Sequence, residues 1–277
     1  MKIIYKLKIL FLRIVGYEKP LRVAFLKYLQ VKYKTFKPHY ETVLLESCKE
    51  AKKLGINKIS VLELGVAGGN GIIALEKYKK SIEKHLDVKI DIYGFDTGEG
   101  MPPTNLKEDL PFVWKQGIYK VDKEALSKKI KSKIFYGDIK NTVGDFINTS
   151  PNKVACIFFD LDYYSSTKSF MDQIDSLREH LLPRVFCYFD DLHLPEKYIS
   201  DINGVALAIK EFNSSNVKFK FGKNVDHIMD FKFPLAKSLI YMLHHFDHHD
   251  YNKFIGEAYG DDLDIKSTKI KYSILDD

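Results

Sequence analysis

Apolar and polar positions along this chain fall into short blocks whose period changes in a regular order. Ile59-Ser60-Val61-Leu62-Glu63-Leu64 is a compact apolar and β-branched run, which predicts a strand. A glycine-dense turn from Gly65 to Gly71 follows, and Ile72–Tyr78 opens an amphipathic helix predicted over 72–84. Val88–Phe95 then reads as a second strand ending at Asp96. Strand, helix and strand at this spacing predict a right-handed parallel βαβ unit. The unbroken apolar runs Val154–Phe159 and Arg184–Phe189 carry the signature of central strands buried on both faces. Shorter strands are predicted at Lys133–Tyr136 and Val217–Phe221. Helices are predicted over 41–54, 121–130, 165–181 and 203–213, with a capped helical turn at Thr142–Asp145. The expected fold class is α/β: one doubly wound, mostly parallel sheet with helices on both faces.

Composition leaves this picture standing and adds an asymmetry. With 277 residues, 45% hydrophobic and 29% charged, the chain suits one globular α/β domain with additions. The expected division is a basic amphipathic helical arm over 1–40 and a single domain over 41–277. Cys48, Cys156 and Cys187 form no metal-like or CxxC spacing and read as small buried hydrophobes in a reduced, cytoplasmic chain. Residues 1–34 hold nine Lys/Arg against Glu18, leaving 34 Lys/Arg against 36 Asp/Glu in the remainder. The positive charge therefore belongs to the arm, which argues against a nucleic-acid surface on the body. Lys6, Lys8 and Arg13 interrupt the apolar run, so neither a signal-peptide core nor a membrane span is expected there. Two readings of the arm stand: a helix packed on the body or on a second copy in a homo-oligomer, and a basic helix making peripheral contact with an anionic membrane.

Candidate chemistry sits at the strand ends. Ligands of open parallel sheets bind beyond the carboxyl ends of the strands. Here those ends carry Glu63, Asp96, Asp138, Asp160 with Asp162, and Asp190 with Asp191. Five recurrences predict one shared acidic rim, with Asp96 placed to accept from a ribose. A phosphate-binding P-loop would need a Gly-Lys-Ser/Thr step, and Gly71-Ile72-Ile73 has no lysine. Gly69-Asn70-Gly71-Ile72-Ile73-Ala74 satisfies GxGxxA, yet Gly69 lies well past the strand end, where a dinucleotide fingerprint would begin. The alternatives are an NAD(P)-dependent sugar oxidoreductase or epimerase and a non-catalytic cofactor-binding module. Residues 97–119, rich in Gly and Pro with interleaved Met101, Phe112, Trp114 and Tyr119, read as a lid or substrate wall, or as a surface excursion with its own apolar anchor.

Read from the strand end, Glu63-Leu64-Gly65 with Gly69 resembles motif I of class I S-adenosylmethionine-dependent methyltransferases. Gly94-Phe95-Asp96-Thr97, Glu99-Gly100-Met101-Pro102, Asp160–Thr167, Asp190-Asp191 and the 203–213 helix together resemble the macrocin O-methyltransferase (TylF/MycF-like) family. The resemblance spans roughly residues 38–225, leaving the arm and an extension from about 226 outside it. It implies a Rossmann-like sheet with a final antiparallel hairpin, and metal-assisted methylation of a hydroxyl, often on a sugar or glycoconjugate. It also implies that Gly65, Ala67 and Gly68 face the methionine part of S-adenosyl-L-methionine, Asp96 the ribose and Asp138 the adenine. Glu63, Thr97 and Asp160 complete the implied cofactor-facing set.

An alcohol ionises poorly at neutral pH, and a divalent cation remedies this as it does for water. Asp160 or Asp162, with Asp190 and Asp191, offers an all-oxygen set for Mg²⁺, Mn²⁺ or Ca²⁺, Mg²⁺ first among them. The plainer alternative has Asp190-Asp191 capping the next segment while Asp160 alone touches cofactor. Strand alternation leaves Asp160 and Asp162 equivalent as ligands. No histidine lies in the 97–119 loop; Asp162 and His193 are the candidate catalytic groups. His244-His245-Phe246-Asp247-His248-His249 reads as a polar stretch at a helix end, with a second metal site as the alternative.

Overall fold

The computed structural model describes residues 37–192, 198–223 and 239–256. The arm up to residue 36 and His193 lie outside the described residues. Helix α1 (Pro38–Leu54) is followed by β1 (Lys58–Leu64), α2 (Asn70–Leu86), β2 (Lys89–Asp96), α3 (Lys123–Ser127), β3 (Lys133–Tyr136) and α4 (Ile139–Ile147). Then come β4 (Lys153–Phe159), α5 (Tyr164–Met171), β5 (Leu181–Phe189), α6 (Gly204–Ser215), β6 (Phe219–Lys223) and β7 (Ile240–His245). The seven strands form one sheet in the order β3-β2-β1-β4-β5-β7-β6. The pairings β1–β2, β1–β4, β2–β3 and β4–β5 are parallel; β7 runs antiparallel to both β5 and β6. The Rossmann-like sheet and its antiparallel C-terminal hairpin are therefore both present. No helix of the described residues is long and apolar enough to cross a membrane.

The strands form where the apolar runs demand it. β4 and β5 are buried along almost their whole length, as unbroken apolar strands covered on both faces must be. Strand order reverses direction between β1 and β4, the switch point beyond which ligands bind in such sheets. α1 runs antiparallel to β1, so its first turn returns the chain to the carboxyl-end rim.

Several element assignments need correction. The 165–181 helix ends as α5 at Met171, where the backbone tightens through Gln173 N to Phe170 O and Ile174 N to Met171 O. Ile174 and Leu177 are still buried, because three-residue turns keep the same apolar spacing inward as a helix would. The 121–130 helix contracts to α3, started by the Asp122 carboxylate accepting from Ala125 N. α4 begins at Ile139 with Asp138 as its cap, three residues before the turn expected at Thr142. His244 and His245 end a strand, and His248 and His249 sit in the turn after it, so the stretch does not lie at a helix end. Period-2 alternation in Ile240–His245 is masked by histidines that pack as aromatics, His245 stacking on Phe219.

Candidate active site

The rim at the switch point is built around Gly65. It holds φ +84°, and a Cβ there would collide with the carbonyl of Asp160, so only glycine lets β1 and β4 end this close together. Asp96, at the end of β2, ties the glycine turn down. One carboxylate oxygen accepts from Val66 N at 2.9 Å and Ala67 N at 3.0 Å, and the other from Gly98 N at 2.6 Å. Asp96 thus fixes both the motif I-like turn and the start of the 97–119 loop.

Asp160, Asp190 and Asp191 bring carboxylate oxygens within 4.8 Å of one another. Asp162 joins that trio through Asp191. Its backbone is left-handed (φ 58°), and its amide N–H donates to Asp191 Oδ2 at 2.9 Å. The strand has ended at Phe159, so the alternation that made the two aspartates equivalent no longer operates. Burial and mutual repulsion push Asp160 up to about 7 and Asp191 well above the usual carboxylate range. Asp162 rises to about 6, chiefly through burial. Tyr188 Oη donates to Asp190 Oδ1 at 2.8 Å. Among the described residues one cation reaches this group: Lys37, at the start of α1, with Nζ 3.8 Å from Asp160 Oδ2.

These groups face a cavity of about 290 Å³, walled on the opposite side by Met101, Trp114 and Tyr119. A second cavity continues from it past Gly137, Asp138 and Lys140. Asp96, Thr97, Pro102, Leu161 and Ser166 line both, so Asp96 stands at the joint of one two-part cleft. The loop is held over the cleft by buried Asp109, which accepts from Thr104 Oγ1 at 2.6 Å, Ser165 Oγ at 2.7 Å and Ser165 N at 2.7 Å.

The architecture is similar to that of the calicheamicin methyltransferase CalS11, at 19% identity over 73% of this chain and 77% of that one, with a TM-score of 0.50. At that identity the likeness is one of fold. The O-methyltransferase NovP matches at 15% identity over 65% of this chain and 75% of its own, with a TM-score of 0.46. No protein-family model and no curated protein sequence matches the chain.

On this methyltransferase fold, Gly65, Ala67, Asp96, Thr97, Asp160, Asp162, Asp190 and Asp191 line the first cavity and Asp138 the second. Gly68 has open space where a Cβ would stand. Glu63 is not brought to the cleft. It is buried beneath the turn, where its Oε1 accepts from Tyr40 Oη at 3.1 Å, its Oε2 has no partner among the described residues, and burial raises it to about 8. The His248, His249 and Asp250 ligand atoms also approach within 4.8 Å, on the opposite rim, but His248 Nδ1 already accepts the Asp250 amide at 3.0 Å. Sequence reasoning did not single out Lys37, Tyr40 or Asp109. Tyr40 could have been suspected, since it opens the apolar face that Val43 and Leu44 continue on α1.

Proposed function

We propose that the chain is an S-adenosylmethionine-dependent O-methyltransferase assisted by a divalent cation, acting on a hydroxyl of a sugar or glycoconjugate. The observation that carries this reading is the two-part cleft, with Asp96 at its joint and the trio Asp160, Asp190 and Asp191 at one end. A ligand with an amino-acid half and a nucleoside half fits such a shape. The glycine turn supports the first half, Asp96 the ribose and the Asp138 side the base. Among the described residues Lys37 alone forms an ion pair with the three close carboxylates, and an all-oxygen donor set of this kind suits Mg²⁺ or Mn²⁺.

Methyl transfer is an in-line displacement: the acceptor oxygen bonds to the methyl carbon as the carbon–sulfur bond breaks, and the acceptor proton leaves. A cation held by Asp160, Asp190 and Asp191 would make the acceptor hydroxyl more acidic, much as it lowers water from about 15.7 to about 7. Asp162, beside the trio and with its carboxyl raised by burial, would take up the acceptor's proton. Trp114 and Tyr119 offer ring faces for the apolar side of a sugar, and Met101 and Pro102 narrow the entrance.

Mn²⁺ titration followed by electron paramagnetic resonance tests the metal assignment. Asp191→Asn is expected to lose bound Mn²⁺ and at least about a hundredfold in turnover, the scale set by losing a main electrostatic stabiliser. Its affinity for S-adenosylhomocysteine should stay within about threefold, since Asp96 binds the amides of Val66, Ala67 and Gly98 and not Asp191. Full methylation in excess chelator would remove the cation from the reaction.

A further inference from the structure

We infer that Lys37 anchors the carboxylate of the ligand's amino-acid half and so sets which way that half lies in the cleft. On the S-adenosylmethionine reading of the site, on which this assignment rests, the ligand carries a sulfonium and an ammonium, which suit an acidic wall. Its carboxylate does not. Asp96, Asp160, Asp162, Asp190 and Asp191 line the first cavity, and no Lys, Arg or His of the described residues lines it with them. The amides of the glycine turn are largely committed. Gly65 N donates to Phe95 O, Val66 N and Ala67 N to Asp96, and Gly69 N to Val66 O. A carboxylate at this end therefore needs a cation from outside the turn.

Lys37 is that cation, and two close approaches carry it to the turn. Gly65, where the turn begins, has the Asp160 carbonyl where a Cβ would stand. Gly71, where the turn ends, lies equally close to the Tyr40 ring, which joins the first turn of α1 to the start of α2. Lys37 Nζ stands 3.8 Å from Asp160 Oδ2 and donates to Tyr40 Oη at 3.3 Å. A charge-assisted N–H···O⁻ bond closes to about 2.7–2.9 Å, so Asp160 does not saturate an ammonium that has three protons to donate. The Lys37 side chain is 22% exposed, which leaves it open to a ligand. Its backbone is left-handed (φ 49°), a conformation that glycine would hold at less cost were the side chain idle. The cleft is thus polarised: the aspartates draw the ammonium and sulfonium, and Lys37 draws the carboxylate.

Isothermal titration of the full chain with S-adenosylhomocysteine, and with the decarboxylated analogue that lacks only its carboxylate, tests this. The parent should bind S-adenosylhomocysteine at least about tenfold more tightly than the analogue, the scale of one charge-assisted contact. Lys37→Gln should lose at least about tenfold on S-adenosylhomocysteine while its affinity for the analogue stays within about twofold, which erases the parent's preference. Lys37→Arg, which keeps a donor for a carboxylate, should keep most of that preference. Melting temperatures, measured alongside, identify a variant that fails to fold. A loss in Lys37→Gln shared equally by both compounds would mean that Lys37 acts only through Asp160 or the fold. An unchanged preference would mean that the carboxylate is held elsewhere. Either result overturns the inference. A parent that binds neither compound overturns the cofactor reading itself, and this assignment with it.

Discussion

Glu63 illustrates how a single residue can follow the sequence pattern of a site and serve another purpose. It sits one residue before the end of β1, yet faces α1 and the first turn of α2. A Cβ at Gly71 would strike its carboxyl, and Tyr40 donates to it from the far side. Burial leaves it at about 8, so it is protonated at neutral pH. A carboxyl raised in the fold contributes stability that is complete below its unfolded value near 4.3 and is lost as pH rises through about 8. Glu63→Gln, which keeps the shape without the titration, should gain in melting temperature on the parent as pH rises from about 4.3 to about 8, the interval in which the parent's folded state alone holds the proton. Above about pH 8 the gap should stop widening. Parallel melting curves across the whole pH range would show that Glu63 is ionised in the fold.

At the scale of elements, the loop over the cleft gains its order from one buried carboxylate. Asp109→Ala removes the acceptor of Thr104 and of both Ser165 donors and should cost about 1–3 kcal/mol in denaturant unfolding. It should also raise the KM for the acceptor while cofactor affinity holds; a loss under about 0.5 kcal/mol would mean the loop is anchored elsewhere. Strands were the readable elements, because a run such as Val154–Phe159 has no soluble alternative to a central position in a sheet. Helix lengths were less readable: Phe170, Met171, Ile174 and Leu177 keep their spacing in a helix or in successive tight turns alike. β7 was hidden, since its pairing with β5 is a long-range choice and two of its residues are histidines. In the site, the acidic rim was legible from strand ends alone. The left-handed turn that carries Asp162 just past β4 is encoded by no periodicity. Lys37 and Tyr40 reach the rim only because α1 folds back along β1.

For the whole molecule, the architecture places a ligand cleft at the switch point of the sheet and gathers Asp96, Asp160, Asp162, Asp190 and Asp191 around it. Asp160 and Asp191 are held above the ordinary carboxylate range, and Lys37 compensates them in part. The central claim is that this cleft binds S-adenosylmethionine with Asp96 at its joint. Isothermal titration of the chain with S-adenosylmethionine, alongside its Asp96→Ala variant, tests that claim most directly. The account predicts one site per chain for the parent and at least about a tenfold loss of affinity in the variant, on the scale of one charge-assisted hydrogen bond. No heat of binding in the parent, or the same affinity in Asp96→Ala, would contradict it.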